Sequence, residues 1–230
     1  MGSVSRKPSA VLWDMDGTLV DTEPYWMAAE TALVQSFGGS WTHEDALQLV
    51  GSGLIDSAVI LQNAGVAMEA EAIVSHLTDV VQESLRTQGV PFRPGARELL
   101  RDLRDAGIPT GLVTMSLRRM ALNVVDLIEF DAFDIVVAGD DVDNPKPHPE
   151  PYLQAAALLD VDIAEVIVIE DSPTGVRAGL ASGALTLAVP HIVPLDHLGA
   201  HELWDTLDGR GAVDLTDLYD SRATATGAAR

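Results

Sequence analysis

The chain has 230 residues, 47% of them hydrophobic and 21% charged, which is the composition of an ordinary globular protein. Its formal net charge of −21 argues against nucleic acid and anionic membrane surfaces as partners. The absence of cysteine excludes disulfides, a thiolate nucleophile and a cysteine-ligated zinc site.

The first eight residues, Met1–Pro8, are small, polar and mildly basic, and we predict a loose arm there. The arm lacks the apolar core of a secretory leader, and no run in the chain approaches the ~18 apolar residues of a membrane span. We therefore expect a cytoplasmic protein. The first predicted strand follows at Ser9–Asp14.

An all-helical stretch comes after this strand. Its first helix is predicted to begin with Asp21 or Thr22 as N-cap and Pro24 in the first turn, and to end at Gly38-Gly39. Further helical patterns cover residues 43–50, 54–63 and 73–85. No strand-like run occurs between Val20 and Gln88, so we predict an all-helical domain at residues 20–90.

From Pro91 onward, strand and helix patterns alternate. The predicted strands are apolar runs at residues 110–114, 135–138, 166–169 and 185–189, and the helices between them cover residues 97–106, 119–128, 149–159 and 176–181. Uninterrupted apolar strands are typical of a parallel sheet covered by helices on both faces. We therefore predict an α/β fold, a doubly wound (Rossmann-like) parallel sheet formed by residues 1–19 and 91–230. It is predicted to close with a helix at His197–Leu207 and a disordered tail from Ser221.

The main candidate for chemistry is the stretch Asp14-Met15-Asp16-Gly17-Thr18, at the end of the first strand. In an open α/β sheet, ligands bind at the carboxyl ends of the strands. One carboxylate is enough to attack a substrate, so the other of Asp14 and Asp16 serves a different task. Taken alone, the stretch is equally compatible with an ordinary Asp-Gly turn.

Three later strand ends carry further polar groups. Thr114-Met115-Ser116 offers a hydroxyl and free amides that suit a phosphoryl oxygen, with an ordinary helix N-cap as the alternative. Lys146 is flanked by prolines that hold it in a rigid, extended segment, with a solvated lysine as the alternative. Glu170 and Asp171 repel each other at the tip of a buried strand, and a bound Mg²⁺ removes that difficulty. Together these groups supply the nucleophile and the charge neutralisation that phosphoryl transfer requires.

Four motifs in this order and at these strand ends resemble those of the haloacid dehalogenase (HAD) superfamily: Asp14-x-Asp16-Gly17-Thr18, Thr114, Lys146 and Glu170-Asp171. Two of them, Lys146-Pro147-x-Pro149 and Glu170-Asp171-Ser172-x-x-Gly175, resemble the β-phosphoglucomutase-like branch in particular. The resemblance covers nearly the whole chain, and it identifies the helical insertion as a cap domain.

The resemblance implies a Mg²⁺-dependent phosphatase acting on a small phosphorylated metabolite, a sugar or polyol phosphate, through an aspartyl-phosphate. Asp14 would attack phosphorus, and Asp16 would serve as general acid and then as general base. Thr114 and Lys146 would hold the phosphoryl oxygens. Further phosphate contacts are expected from Met15, Gly17, Thr18, Met115, Ser116 and Arg118. Mg²⁺ ligands are expected from Asp14, the Asp16 carbonyl and Asp171, with Glu170 either binding the ion directly or lying behind its direct ligands.

A β-phosphoglucomutase-type phosphomutase is the alternative within the branch. Mutases usually carry a His where this chain has Trp26, and a cap Arg where it has Leu54. Without such groups the cap offers no grip on a second phosphate, unless Arg118 and Arg119 compensate, so we favour the phosphatase. The superfamily's dehalogenases lack an acid at the position of Asp16, which argues against dehalogenation.

Two binding functions stay open beside catalysis. Two-component receiver domains also carry acidic residues, a hydroxyl and a lysine on a parallel sheet, but their acidic pair precedes the phosphorylated aspartate and they lack an inserted cap. A silent HAD-like scaffold would bind a partner without turnover, although every polar motif residue is present here. The oligomeric state is open, and a monomer is compatible with the sequence.

Overall fold

A parallel sheet organises the chain, of which the computed structural model describes residues 6–50 and 52–227. The strands are β1 (Ala10–Trp13), β2 (Thr110–Val113), β3 (Ile135–Val137), β4 (Val166–Glu170), β5 (Leu185–Ala188) and β6 (Glu202–Leu203). Their order in the sheet is β3-β2-β1-β4-β5-β6, and every pairing is parallel. β1 therefore lies between β2 and β4, and the carboxyl ends of these three strands meet at one edge.

Helices cover both faces of the sheet. They are α5 (Ala96–Asp105), α6 (Arg118–Asp126), α7 (Glu150–Leu158), α8 (Pro173–Ser182) and α9 (Ala212–Gly227). Alternate side chains of β1 enter different apolar clusters, with Val11 and Trp13 in one and Ala10 and Leu12 in the other. The predicted doubly wound α/β fold is thus confirmed, and the physical reason is the burial of both sheet faces.

A helical block separates β1 from α5. It consists of α1 (Glu23–Ser36), α2 (His43–Leu47), α3 (Leu54–Asn63) and α4 (Ala70–Gln88). The segment that leaves the core for this block and the segment that returns from it lie side by side. The Asp21 N–H donates to the Pro91 carbonyl at 2.7 Å, and the Arg93 N–H donates to the Leu19 carbonyl at 3.0 Å. An inserted domain needs its two connections to the core to be adjacent, so we treat this block as the cap. The domain boundaries, 20–90 for the cap and 1–19 with 91–230 for the core, stay a prediction. None of the helices among the described residues is long and apolar enough to cross a bilayer.

The C-terminal part differs from the prediction in two places. The predicted helix at His197–Leu207 is a 3-10 turn at Asp196–Leu198 that ends at Gly199 (φ 72°), followed by β6. The strand forms because the open edge of β5 offers backbone partners: the His201 N–H donates to the Thr186 carbonyl at 2.9 Å.

The tail predicted to be disordered from Ser221 is part of α9, which continues to Gly227. Its apolar stripe anchors it, because Leu215 is fully buried and Leu218 and Tyr219 pack on the main core cluster. Residues 1–5 of the predicted N-terminal arm and residues 228–230 lie outside the described residues.

The chain re-enters the α/β core at Gly95. A substitution there tests how tightly the backbone is packed at this point. Gly95 has a φ of 76°, and a Cβ there would lie 2.2 Å from the Leu207 carbonyl oxygen. We expect Gly95→Ala to lower the free energy of unfolding by at least ~2 kcal/mol, from strain and overlap with backbone. Gly107→Ala is the matched control, because Gly107 has a similar φ of 69° and nothing within 4 Å. We expect it to lose only about 1 kcal/mol in urea denaturation. Equal losses in the two variants would contradict this account.

Candidate active site

The end of β1 places Asp14 and Asp16 at the edge of the sheet. A tight turn follows, in which the Gly17 N–H donates to the Val20 carbonyl at 2.7 Å. Gly17 has a φ of 91°, and a Cβ at this position would lie 2.1 Å from Asp171 Oδ2. Only glycine therefore allows the turn to bring Asp171, at the end of β4, against the turn after β1.

Lys146 lies at the centre of the buried charges. Its Nζ donates to Asp14 Oδ1 at 2.7 Å, to Glu170 Oε1 at 2.6 Å and to the Val113 carbonyl at 2.9 Å. The side chain is only 3% exposed. Burial by itself would lower the pKa of the Lys146 ammonium, but the charges of Asp14 and Glu170 outweigh it and raise that pKa. The lysine is thus a fixed cation.

Three carboxyl groups share this cation. Asp14, Glu170 and Asp171 are buried, and each offers an oxygen within 4.8 Å of the other two. Burial and the negative charge of Glu170 raise the pKa of Asp14 to about 7, against the opposing effect of Lys146. Burial and Asp14 likewise raise the pKa of Asp171 well above its usual range. One ammonium does not neutralise this cluster, and carboxylate oxygens are the ligands that Mg²⁺ prefers, so the residues fit a divalent cation.

Glu170 has a different position from the other two carboxyl groups. Its Oε1 accepts from Lys146 and from the Tyr152 hydroxyl at 2.7 Å, and its Oε2 accepts from the Ser172 hydroxyl at 3.1 Å. A Cβ at Gly175 would lie 1.7 Å from Glu170 Oε1, so α8 approaches this carboxylate through a glycine. Glu170 is fully buried and is not among the residues lining the cleft, which makes it a support for Lys146.

Asp16 connects the helical block to the sheet. Its Oδ1 accepts hydrogen bonds from the Thr22 hydroxyl and, at 3.3 Å, from Trp26 Nε1. Its Oδ2 accepts from the Ser116 hydroxyl at 2.7 Å and from the Thr114 hydroxyl at 3.4 Å. Thr22 is the N-cap of α1, as predicted, but its hydroxyl bonds Asp16 in place of a helix amide.

The cleft between the core and the helical block encloses about 870 Å³, including open solvent. The core lines it with Asp14, Asp16, Thr114, Met115, Ser116, Lys146, Asp171, Ser172 and Thr174. The helical block lines it with Glu23, Trp26, Glu30, Leu49, Val50, Ser52, Leu54, Ser57, Val74 and Leu77. Among these described lining residues, Lys146 has the only basic side chain.

Four predicted phosphate contacts are not among the residues that line the cleft: Met15, Gly17, Thr18 and Arg118. The Met15 side chain is fully buried in the core, and the Gly17 amide is engaged within its turn. The Thr18 hydroxyl donates to Asp171 Oδ1 at 3.0 Å, so it positions that carboxylate. Arg118 does not line the cleft, because two of its guanidinium nitrogens donate to Asp141 at 2.9 and 2.5 Å. The predicted phosphate contact of Arg118 is therefore not supported.

Arg119 does not supply the missing cap cation either. Its guanidinium donates to Asp79 Oδ1 at 2.6 Å and to the Ser75 carbonyl at 2.9 Å, which ties α6 to α4. Neither Ser75 nor Asp79 is among the described residues that line the cleft, so the contact is structural.

Sequence reasoning missed two acidic residues of the cleft, Glu23 and Glu30. Burial and the charge of Asp16 raise the pKa of Glu23 to about 8. Burial also raises the pKa of Glu30 to about 7. The available signal was their spacing, because positions 23, 26 and 30 share one helix face with Trp26.

Comparisons with known proteins agree with this geometry. The sequence profile of the family described as haloacid dehalogenase-like hydrolase matches residues 11–189. The chain is 32% identical over 178 residues to a phosphorylated carbohydrates phosphatase of Thermotoga maritima, covering 76% of this chain and 81% of that protein. It is 30% identical over 196 residues to hexitol phosphatase B of Escherichia coli, covering 82% and 86%.

A plant relative is longer. The chain is 30% identical over 202 residues to a bifunctional riboflavin kinase/FMN phosphatase of Arabidopsis thaliana, which covers 85% of this chain but only 52% of that protein. Among solved structures, a β-phosphoglucomutase from Clostridium difficile has a TM-score of 0.81 at 22% identity, covering 94% of this chain and 99% of that one. At this identity the likeness shows the fold.

These matches confirm the predicted enzyme class, a phosphoric monoester hydrolase. The chain belongs to the haloacid dehalogenase-like hydrolase family.

Proposed function

We propose that this protein is a Mg²⁺-dependent phosphatase that hydrolyses a small sugar or polyol phosphate through an aspartyl-phosphate on Asp14. The observation that carries the proposal is the carboxylate of Asp14, held at the cleft by Lys146 Nζ at 2.7 Å and facing the hydroxyl-bonded Asp16. A positioned nucleophile beside an acid and a fixed cation is what phosphate ester cleavage needs.

The reaction follows from these positions. An Asp14 carboxylate oxygen attacks phosphorus as the bond to the leaving oxygen breaks, and Asp16 gives its proton to that oxygen. Asp16 then takes a proton from a water molecule, which attacks the aspartyl-phosphate and releases inorganic phosphate with Asp14 regenerated. The hydrogen bonds that Asp16 accepts from Thr22 and Ser116 orient its carboxyl group for both proton transfers.

Charge neutralisation is divided between protein and metal. Lys146 binds a phosphoryl oxygen, and its position is set by Glu170 and Tyr152 behind it. Asp14 and Asp171 would hold Mg²⁺, which supplies the positive charge that lets a carboxylate approach a phosphate. That the Asp16 carbonyl is a further ligand, and that Glu170 binds the ion directly or from behind its direct ligands, stay predictions. Glu170 also positions Lys146.

The cleft supports a polyol or sugar as the organic part of the substrate. Ser52, Ser57 and Glu30 offer polar groups on a wall that Leu54 and Leu77 otherwise make apolar. The relatives in Thermotoga maritima and Escherichia coli are named for phosphorylated carbohydrates and hexitols, which agrees with this chemistry.

Replacing the nucleophile tests the proposal directly. We expect Asp14→Asn to lower kcat for sorbitol 6-phosphate by at least ~10⁴-fold, because no other group supplies the attacking oxygen. Asp105→Asn, which changes an exposed carboxylate of α5, is the matched control and should retain full activity. Phosphate release is measured for both variants after identical purification. Near wild-type turnover by Asp14→Asn would contradict the aspartyl-phosphate route.

Removing the metal tests the acidic cluster. We expect excess EDTA to abolish turnover and Mg²⁺ to restore it. Mg²⁺ should also raise the melting temperature, since a ligand at 100 times its Kd stabilises the folded state by about 2.7 kcal/mol. Asp171→Asn should shift this thermal response to higher Mg²⁺ concentration, whereas the exposed Asp143→Asn should leave it unchanged. Full activity in EDTA would rule out the metal requirement.

The phosphomutase alternative needs a grip on a second phosphate while the intermediate turns round. In the described cleft the helical block contributes no basic side chain, and Leu54 lines the wall where mutases usually carry an arginine. Loss of one charge-assisted contact costs about 1.5–3 kcal/mol, or roughly one to two decades in discrimination. Water therefore outcompetes a second sugar phosphate at this site.

Phosphorus NMR distinguishes the two reactions. A reaction on β-glucose 1-phosphate, primed with glucose 1,6-bisphosphate, should release inorganic phosphate without forming glucose 6-phosphate in excess of it. Asp14→Asn serves as the blank for contaminating enzymes. Isomerisation faster than phosphate release would establish the mutase and overturn the phosphatase.

A further inference from the structure

Glu30 is a buried residue whose carboxyl group has one oxygen atom, Oε2, without a hydrogen-bond partner among the described residues. The residue is 5% exposed, and its Oε2 is itself buried. A buried polar atom without a partner destabilises the folded state. The cleft wall is nevertheless formed in part by this residue, so the Glu30 side chain adjoins the space that a substrate would occupy.

The position of Glu30 along α1 places it beyond the reacting groups. Glu23, Trp26 and Glu30 share one face of α1, and all three line the cleft. Trp26 Nε1 donates to Asp16 Oδ1, so this end of the face adjoins the chemistry. Glu30 comes four residues later, or about 6 Å further along the helix axis. It therefore faces the part of the cleft that receives the organic end of a phosphate ester.

The protein itself provides one weak neighbour for Glu30. Burial is the larger effect and raises the pKa of Glu30, whereas the nearby Trp41 indole lowers it. Neither Glu30 Oε2 nor Trp41 Nε1 nonetheless has a partner at hydrogen-bonding geometry. The carboxyl group thus keeps its capacity for a hydrogen bond to a ligand.

We propose that Glu30 is a specificity-determining residue that hydrogen bonds a hydroxyl group at the distal end of the phosphorylated substrate. The proposal rests on the phosphatase function above and names the substrate class more closely: monophosphates whose distal end carries neutral hydroxyl groups. A hydroxyl group both donates and accepts, so it satisfies a carboxyl group in either protonation state.

The same wall selects against a second anion. A distal phosphate or carboxylate offers only acceptors and would lie against Glu30, with no basic side chain on the described part of this wall. An apolar distal end would leave the buried carboxyl group unsatisfied. The hydroxyl-bearing chain is therefore the group that this end of the cleft fits best.

A pair of substrates of equal length tests the proposal. Sorbitol 6-phosphate carries distal hydroxyl groups, and n-hexyl phosphate does not. We expect Glu30→Leu to lower kcat/KM for sorbitol 6-phosphate by about 10–100-fold and to leave n-hexyl phosphate within about threefold. Glu30→Gln, which keeps donor and acceptor atoms, should retain the preference for sorbitol 6-phosphate. Glu71→Leu, which removes an exposed carboxylate from α4, should leave both substrates unchanged.

The alternative is a purely structural Glu30, paired loosely with Trp41. It predicts equal losses on both substrates and a lower melting temperature for Glu30→Leu, and that result would overturn the proposal. We expect an unchanged or higher melting temperature, because the variant removes an unsatisfied buried group. Glu30→Ala repeats the test without added bulk if the leucine variant fails to fold. If the wild-type enzyme with Mg²⁺ fails to cleave even 4-nitrophenyl phosphate, the phosphatase function itself fails, which is a separate outcome.

Discussion

The contact of Lys146 with Asp14 and Glu170 is the constraint on which the rest of the site depends. A buried ammonium is tolerated only where carboxylates surround it, and buried carboxylates only where a cation neutralises them. The three residues come from different strand ends, so their pairing holds β1, β4 and the loop after β3 in one arrangement. Tyr152 and Ser172 complete the hydrogen bonds of Glu170, and of the two carboxylate partners of Lys146 it is Asp14 that lines the cleft.

Asp16 makes the second connection, between the core and the helical block. Each of its carboxylate oxygens accepts from a different side, Oδ1 from Thr22 and Trp26 and Oδ2 from Ser116 and Thr114. The position of α1 over the cleft is therefore coupled to the carboxyl group that we assign to proton transfer. The hydrogen bonds that Asp16 accepts from Thr22 and Trp26 therefore affect both proton transfer and access to the cleft. Such coupling suits a reaction that must admit a substrate at one step and water at another.

Charge is distributed unevenly in this acidic protein. The cleft concentrates carboxyl groups from both sides, and the pKa values of Asp14, Glu23, Glu30 and Asp171 are all raised there. An anionic substrate reaches such a site only with a cation to neutralise it, which on the core side is Lys146 together with the metal we propose. The helical side has no such cation among its described residues, and this asymmetry favours substrates with one phosphate and a neutral remainder.

The sequence by itself determined the sheet, the helical insertion and the identity of Asp14, Asp16, Thr114, Lys146 and Asp171 as cleft residues. These depend on local patterns: apolar runs, prolines, and polar groups at strand ends. Tertiary structure decided the rest. Residues within the predicted C-terminal helix form β6 because they pair with the open edge of β5. Arg118 is not in the cleft because it forms an ion pair with Asp141. The roles of Glu170, Glu23 and Glu30 depend on what packs against them, because an acidic residue in a helix has the same local pattern whether it faces solvent or a cleft.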